Sequence, residues 1–283
     1  MHFRGMNIAS FARSPRFPAV AFQSHAEFQS YLQEHRSRLD AREEYEASLA
    51  DCGTNLTHRG TCAPCLRPAA FMSSVKEFAG LTDEPRLHNL NEQMRCNCED
   101  RLAGRERALI HFLQAAVLTP WTHLLLFGPL SNADRRIKAL VNLTTHAPRL
   151  RTPAPFTSGS SVAALEAPSA NFHAVVSENY LHFVPPIRAA LAEILRVLVP
   201  GGRFVFTIPF QFTAASSEFM TEDMFSFAPK APAEFRAGPG HKLGWDLLSL
   251  LTQTGFRDAT AYLYWSEELG YLGNANFIFK AVK

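Results

Sequence analysis

Four cysteines within the first hundred residues form two closely spaced pairs of the kind that bind a metal ion. Cys62 and Cys65 are separated by two residues, and Cys96 and Cys98 are separated by one. Four thiolates complete a tetrahedral zinc site, and such short spacing lets each pair come from a single turn. A structural zinc ion contributes on the order of 10 kcal/mol to folding, which would support a segment with many turn residues and little core. We therefore predict a zinc site formed by these four side chains.

Alternatives remain open for the cysteines. Cys52 or His58 would replace one of the four ligands, or the thiols would stay reduced and partly buried without a metal. Disulfides are disfavoured because nothing else in the sequence indicates export. A redox-active Cys-x-x-Cys motif needs a thioredoxin-type strand before it, and residues 57–61 do not have that pattern.

The overall composition is that of an ordinary globular protein, whose helices and strands must position these cysteines. Of 283 residues, 47% are apolar and 19% are charged, which suits one large domain or a catalytic domain with a smaller appendage. The net charge of +2 gives no reason to expect nucleic acid as a partner. No stretch approaches the ~20 apolar residues that a membrane span requires. We expect a soluble, cytoplasmic protein with neither nucleic acid nor a membrane as its partner.

Short apolar runs alternate with helical patterns in the second half of the chain. Buried strands are predicted at residues 123–128, 172–177, 203–208, 259–264 and 276–281. Helices are predicted at residues 132–143, with Asn132 as a candidate cap, 186–198 and 244–254. Strands that alternate with helices indicate crossover connections. We therefore predict an α/β fold with a doubly wound, mostly parallel sheet and an antiparallel final strand.

The N-terminal part has a different character. Residues 1–24 are predicted to be irregular, residues 25–50 to form one or two amphipathic helices, and residues 101–117 to form a further helix. The cysteine-rich segment between them shows turn residues and little periodicity. We predict three units: an N-terminal helical segment (1–50), a zinc-type module (51–105) and an α/β domain (106–283).

The helix and strand around the Pro-Gly-Gly turn at 200–202 resemble a known family. Residues 193–209, EILRVLVPGGRFVFTIP, resemble class I S-adenosylmethionine-dependent methyltransferases, in which a similar helix end precedes the fifth strand. Residues 171–185, NFHAVVSENYLHFVP, are similar to the family's fourth strand and the loop after it. The resemblance covers residues 123–283 and implies a Rossmann-like sheet that binds S-adenosylmethionine outside the carboxyl ends of its first and fourth strands. Residues 62–107 are also similar to zinc-type modules that precede some bacterial methyltransferases.

The chain departs from this family's pattern at the polar groups that usually hold the cofactor. The family's Gly-x-Gly-x-Gly turn is reduced to one glycine in residues 128–132. No acidic residue for the ribose hydroxyls is evident in residues 149–156, and Ser161 stands where an Asp commonly meets the adenine amine. His182 and Phe183 stand where relatives show Glu-His. We expect cofactor binding to be retained, with contacts from backbone and aromatic groups.

The resemblance implies a set of site residues. Cofactor-binding residues are predicted to be Gly128, Pro129, Ser161, Ser177, Glu178 and Asn179. Glu178 and Asn179 hold the amino-acid end of the cofactor or cap the following turn. Tyr180 is predicted to face the sulfonium group through a cation–π contact, and His182 to act as a base if the nucleophile must lose a proton. Packing and structural roles are the alternatives for these two side chains.

A Phe-rich segment, residues 210–242, follows the fifth strand of this pattern. It is predicted either to cover a small ligand or to pack against the N-terminal helices. His241 at its end either lines the site or lies on the surface.

Three functions follow from these observations. The first is an enzyme that consumes S-adenosylmethionine and transfers its methyl group to a small-molecule substrate. The second keeps the fold and cofactor but cyclises the methionine chain of S-adenosylmethionine to azetidine-2-carboxylate, with release of methylthioadenosine. The third is a zinc-stabilised binding protein without catalytic activity.

Overall fold

A seven-stranded sheet forms the centre of the computed structural model, which describes residues 15–50, 55–74, 90–128, 131–147, 165–184, 186–220 and 240–283. The strands in chain order are β1 (Ala19–Phe22), β2 (Asn55–Cys62), β3 (Arg67–Ser74), β4 (Arg95–Cys96), β5 (His123–Phe127), β6 (Leu143–Ala147), β7 (Phe172–Glu178), β8 (Leu198–Thr207), β9 (Glu218–Met220), β10 (Gly240–Lys242), β11 (Arg257–Ser266) and β12 (Tyr271–Val282). The α-helices are α1 (His25–Glu34), α2 (Arg36–Ala50), α3 (Leu90–Gln93), α4 (Gly104–Ala116), α5 (Asp134–Lys138), α6 (Ile187–Val197) and α7 (Asp246–Thr254). Short 3₁₀ helices lie at Ala63–Cys65 and Leu181–Phe183.

The large sheet has the spatial order β1-β11-β12-β8-β7-β5-β6. Strands β6, β5, β7 and β8 are parallel neighbours. The strand β12 lies between β8 and β11 and is antiparallel to both, and β1 pairs antiparallel with β11 at the edge. Strand β11 therefore points the same way as the four parallel strands. This order confirms the predicted α/β class, a doubly wound and mostly parallel sheet with an antiparallel final strand.

Helices and the cysteine-bearing strands cover the two faces of this sheet. On one face, Val175 of β7 belongs to an apolar cluster with side chains of α1, α6 and α7, such as Leu191. On the other face, Val176 belongs to a second cluster, which includes Leu109 of α4 and Cys96. Strands such as β7 are buried on both sides, so their sequences are continuous apolar runs. This explains why they can be predicted from the sequence.

The cysteine-rich segment is a small antiparallel sheet, so the expectation of turns without periodicity was wrong. Strand β3 lies between β2 and β4 and pairs with β2 along its whole length. Buried and exposed side chains alternate along most of β2, but the apolar pattern is weak because the polar His58 is buried and Gly60 has no side chain. Gly60 lies where β2 meets the turn before β12. A Cβ atom at Gly60 would lie 2.2 Å from the carbonyl oxygen of Glu268. Since β2 is antiparallel to its neighbour, it is not a thioredoxin-type strand.

The side chain of Arg107 in α4 connects this small sheet to the turn between β11 and β12. Its guanidinium carbon lies 4.0 Å from the ring centroid of Phe71. It donates hydrogen bonds to the carbonyl oxygens of Met94 and Leu102, both at 3.0 Å, and of Gly270 at 2.7 Å. Arg107 is fully buried, and this burial lowers its pKa. Three carbonyl acceptors and an aromatic face thus hold a buried cation between the two parts of the chain.

Most predicted elements are confirmed, with three corrections. The helices predicted at 186–198 and 244–254 are α6 and α7, and α7 ends at Gly255, whose φ is 113°. The helix predicted at 132–143 is wrong in length, since α5 has only five residues and β6 begins at Leu143. The residue before α5 is Ala133, so the predicted cap at Asn132 is also wrong. Residues 19–22, expected to be irregular, form β1. The cysteine strands are the third correction, and the division into three units stays a prediction.

Among the described residues, no helix has both the length and the apolar character that crossing a membrane requires.

Candidate functional site

The carboxyl ends of the parallel strands meet at one edge of the sheet, where the chain leaves β5 for β6 on one side and returns to β7 on the other. The backbone N–H of Gly128, directly after β5, donates to the carbonyl of Ala147 at 2.9 Å. The N–H of Asn179, directly after β7, donates to the carbonyl of Thr207 at 3.0 Å. Such a switch point is where open α/β sheets bind their ligands.

The structure brings together most of the predicted cofactor and catalytic residues at this edge. The described members are Gly128, Ser177, Glu178, Asn179, Tyr180 and His182. Pro129 and Ser161 lie outside the described residues, as do residues 149–156, where an acidic side chain was sought. The roles assigned to these residues stay predictions.

Tyr180 lies directly over the single glycine that remains in the turn after β5. Gly128 has a φ of 120°, and a Cβ atom there would be 2.9 Å from the Cβ, Cγ and Cδ1 atoms of Tyr180. Tyr180 is 3% exposed and makes an edge-to-face contact with Phe127, with ring centroids 5.1 Å apart. The space above Gly128 therefore holds the tyrosine side chain in this structure. A ligand at this turn must contact the Tyr180 ring or displace it.

Glu178 is held by an arginine that sequence reasoning did not assign to the site. Nη1 of Arg105, in the first turn of α4, donates to Oε1 of Glu178. The same guanidinium binds Glu92, with Nε–Oε1 at 2.5 Å and Nη2–Oε2 at 3.0 Å. Burial lowers the pKa of Arg105, but the carboxylates of Glu92 and Glu178 outweigh it and raise that pKa well above its usual value. Arg105 thus fixes one oxygen of Glu178 and leaves the other for a ligand.

Several buried polar atoms around this edge have no hydrogen-bond partner among the described residues. They are Oδ2 of Asp134, Oγ of Ser177, Oε2 of Glu178, Oδ1 of Asn179, Nδ1 of His182 and Nε2 of His241. Buried polar groups without partners are costly and rare in native proteins. Their concentration at the switch point indicates a site that a polar ligand completes.

The buried charges at this edge are mainly negative. Burial raises the pKa of Asp134, and the nearby charge of Glu178 raises it further. The same two causes raise the pKa of Glu106 in α4. Arg105 is the cation in direct contact with Glu178 among the described side chains. The site therefore favours a ligand that carries positive charge.

Two histidines face the site from different elements. His182, in the 3₁₀ helix after β7, is 4% exposed, and burial together with His241 and Arg105 lowers its pKa to about 3. Burial also lowers the pKa of His241 in β10. Both imidazoles are therefore neutral at pH 7. A pKa of about 3 weakens His182 as a base, although its neutral ring can accept a hydrogen bond.

We expect His182 to make the stability of the protein depend on pH in the acid range. Below pH 6.5 the unfolded chain binds a proton at His182, whereas the folded chain does not until about pH 3. Stability is therefore lost as the pH falls from 6.5 toward 3, by at most about 1.4 kcal/mol per pH unit for this single group. Denaturant titrations at pH 7.5, 6.5 and 5.5 should show a smaller slope for His182→Asn than for the wild type. Equal slopes would contradict a buried neutral His182.

Two phenylalanines of the Phe-rich segment pack against the sheet and the N-terminal helix, whereas Phe219 in β9 is 48% exposed and contacts the ring of His241. The ring of Phe210 lies 4.9 Å from Phe279 and 5.2 Å from Trp245, and Phe212 makes an edge contact with Phe28 of α1 at 6.3 Å. The packing alternative therefore holds for these two phenylalanines. Residues 221–239 lie outside the described part, so their covering role stays a prediction.

Three of the four predicted metal ligands form a compact cluster of sulfur atoms. The Sγ atoms of Cys62, Cys65 and Cys98 all lie within 4.8 Å of one another. Cys96 is outside this mutual set, but its thiol lies within hydrogen-bonding reach of Cys62. His58 is engaged elsewhere, with Nδ1 3.1 Å from Oη of Tyr45 and Nε2 2.7 Å from a backbone carbonyl. His58 is therefore not a ligand in this arrangement, and Cys52 lies outside the described residues.

The surroundings favour the thiolate at Cys65 and Cys96, whereas the pKa of Cys62 is raised by its hydrogen bonds with these two thiols and that of Cys98 by burial. The hydrogen bond with Cys62 lowers the pKa of Cys65 to about 6 and that of Cys96 to about 5. Nη2 of Arg136 lies 3.5 Å from Sγ of Cys65, and Arg67 carries its charge next to Cys98. Thiolates are the form that binds zinc, so this donor set fits the predicted metal.

The doubly wound sheet and the polar site at its switch point define an α/β protein with a ligand site at the carboxyl ends of its strands. Residues 139–206 match the family described as a methyltransferase domain. This match confirms the resemblance to S-adenosylmethionine-dependent methyltransferases and indicates an enzyme of that transferase class. The matched residues begin directly after α5 and end in β8. The shortened glycine turn at Gly128 therefore lies outside the match.

Solved structures are similar to parts of the chain, and three examples follow. The YcgJ protein from Bacillus subtilis is 17% identical, over 36% of this chain and 50% of that one, with a TM-score of 0.30. A methyltransferase from Thermotoga maritima is 14% identical, over 59% of this chain and 84% of that one, with a TM-score of 0.33, and one from Mesorhizobium loti is 13% identical, over 63% and 98%, with a TM-score of 0.37. No curated protein matches the sequence. The fold class rests on the strand order, since these scores are low.

Proposed function

We propose that the protein binds S-adenosylmethionine over the carboxyl ends of β5 and β7 and transfers its methyl group to a small molecule. The observation that carries this proposal is the pair of buried carboxylates, Glu178 and Asp134, each with an oxygen that has no partner among the described residues. The methionine part of this cofactor carries an ammonium and a sulfonium group. Both are cations, and the site has an excess of negative charge to receive them.

The residues of the chain would bind and orient the cofactor, which supplies the electrophilic methyl group when bound. Oε2 of Glu178 and Oδ2 of Asp134 would accept hydrogen bonds from the α-ammonium group. The Tyr180 ring, next to Gly128, would contact the sulfonium group through a cation–π interaction of roughly 0.5 to 2 kcal/mol. Its burial also keeps water from this part of the site. Alignment of this kind lowers a barrier without any group of the protein changing its charge.

The two neutral histidines would serve the acceptor molecule. The unpartnered nitrogens, Nδ1 of His182 and Nε2 of His241, can each accept a hydrogen bond from an N–H or O–H group. They would orient such an acceptor toward the methyl group and receive its proton if it leaves. The low pKa of His182 favours orientation over proton uptake.

Cyclisation of S-adenosylmethionine is the second candidate, and the same carboxylates favour it. A base next to the α-ammonium group would take one proton from it, and Asp134 has a pKa that is raised by burial and by Glu178. The freed amine would form a bond to the γ-carbon while the bond from that carbon to sulfur breaks. Methylthioadenosine would leave with the electron pair, and the amino acid would close to a four-membered ring.

We also propose that Cys62, Cys65, Cys96 and Cys98 bind a structural zinc ion. The compact set of three Sγ atoms, the contact of Cys96 with Cys62 and the lowered pKa values of Cys65 and Cys96 support this proposal. Zinc would link β2, the 3₁₀ helix after it and β4.

One incubation separates the candidate functions. Purified protein is mixed with S-adenosylmethionine alone, and the products are identified by mass spectrometry. Methylthioadenosine with a ring-closed amino acid supports cyclisation. No turnover alone, but S-adenosylhomocysteine after addition of small-molecule extracts, supports methyl transfer. If neither product forms and calorimetry detects no binding, both enzymatic proposals are wrong and a non-catalytic zinc protein remains.

A further inference from the structure

The short helix α5 connects the proposed cofactor site to the cysteine module, which we define as residues 55–74 and 95–100. Three successive side chains of α5 point to different neighbours. Asp134 is buried, with its charge close to that of Glu178. Arg135 and Arg136 instead reach the cysteine module.

Asp100 is the main contact of the cysteine module with α5. Its side chain is 3% exposed, and its two oxygens accept hydrogen bonds from different arginines: Oδ1 from Nη2 of Arg135 and Oδ2 from Nε of Arg136. Burial raises the pKa of Asp100, but the two arginines outweigh it and the pKa is lowered. A second nitrogen of Arg136, Nη2, lies 3.5 Å from Sγ of Cys65. One guanidinium therefore touches both Asp100 and a proposed metal ligand.

A helix of this length depends on such contacts. Isolated helices shorter than about 12 residues are marginal in water, and α5 has five residues. It also replaces the longer helix that the sequence predicts after the glycine turn. Burial of Ile137 in the apolar core and a hydrogen bond from the Ser131 hydroxyl to Asp134 also hold this segment. The contacts of Arg135 and Arg136 add the attachment to the cysteine module, and so contribute to the position of Asp134.

We infer that metal binding by the cysteine module controls the affinity for S-adenosylmethionine, because Asp100 and Cys65 hold α5 through its arginines and α5 carries Asp134 into the cofactor site. This inference rests on the proposed function. Asp100 is a positioning residue here, since it acts on the cofactor only through α5. Loss of the metal would free Cys65 and the chain near Asp100, and α5 would lose its attachment.

The variant Asp100→Asn tests this coupling, with Glu99→Gln as its matched control. Glu99 is the neighbouring carboxylate, 79% exposed, and lies 3.7 Å from the same Arg135. We expect Asp100→Asn to raise the Kd for S-adenosylmethionine about 5- to 150-fold, the range typical of coupled sites. The zinc content should stay near that of the wild type. Glu99→Gln should change neither quantity, and Asp100→Glu should recover part of the affinity because it keeps the charge.

A second measurement does not depend on cofactor binding. Amide hydrogen exchange of residues 131–140 should become faster in Asp100→Asn, and also in the wild type after a chelator removes the metal. If the wild type does not bind S-adenosylmethionine, the proposed function is wrong, while faster exchange would still support the attachment of α5. If the affinity and the exchange rates are unchanged in Asp100→Asn, the coupling is wrong and the proposed binding of S-adenosylmethionine stands. If the purified protein contains no metal, the coupling and the proposed zinc site are both wrong, and the proposed binding of S-adenosylmethionine still stands.

Discussion

Removal of the metal from the cysteine module is expected to unfold the small sheet of β2, β3 and β4. The variant Cys62→Ser should have the same effect, since Cys62 is fully buried and its thiol contacts both Cys65 and Cys96. Binding of a structural zinc ion contributes about 10 kcal/mol or more. That is comparable to the whole stability of a typical domain, about 5 to 15 kcal/mol. We therefore expect a large fall in Tm and loss of zinc by metal analysis, with α4 affected through Arg107.

Cys52→Ser is the control for this experiment. It removes the fifth cysteine of the chain, so it should keep both the zinc and the Tm if the four ligands are those proposed. Loss of zinc in Cys52→Ser would reassign a ligand to Cys52. A Tm of Cys62→Ser equal to that of the wild type would show that the thiols have no structural metal.

The variant Glu178→Gln is expected to bind S-adenosylmethionine about 10- to 150-fold more weakly than the wild type, as measured by calorimetry. A hydrogen bond to a charged group is worth about 1.5 to 3 kcal/mol, and glutamine keeps the shape of the side chain without its charge. The substitution also removes one carboxylate from Arg105, so the folded state must be verified by circular dichroism before the Kd is compared.

Glu34→Gln provides the matched control for Glu178→Gln, because Glu34 is exposed at the end of α1. It should leave the Kd unchanged. An unchanged Kd in a folded Glu178→Gln variant would remove Glu178 from the cofactor site and, with it, the main argument for a cationic ligand.

The parts of the fold that could be predicted are those with a strong local pattern. Strands β5, β7 and β8 are short apolar runs because they are buried on both faces, and the Pro-Gly-Gly turn identifies the helix and strand around it. Strand β6 has no such signal because it is an edge strand with polar residues, and its first residue, Leu143, is 55% exposed. Strands β2 and β3 pair with each other along their whole length, and the buried polar His58 and Ser73, with Gly60, weaken their apolar pattern.

Only those site residues that directly follow a recognisable strand could be predicted from the sequence. Residues 177–182 follow a recognisable strand, so their place at the carboxyl edge was expected. Arg105 lies 73 residues before its partner Glu178, and no spacing rule connects them. Asp134 was not predicted as a site residue, because its segment was predicted to be part of a longer helix. Interactions between elements of this kind depend on the packing of the whole sheet.

The interior position of β12 has a consequence for how the protein is made. Of the strands that the structure describes, β12 is the last in chain order, yet it lies between β8 and β11, and its residues Ile278 and Phe279 are fully buried. Until β12 has been synthesised, a nascent chain therefore carries two open strand edges, one on β8 and one on β11. Exposed strand edges of this kind promote aggregation. The seven-stranded sheet therefore reaches its final packing only after residues 271–282 have been synthesised.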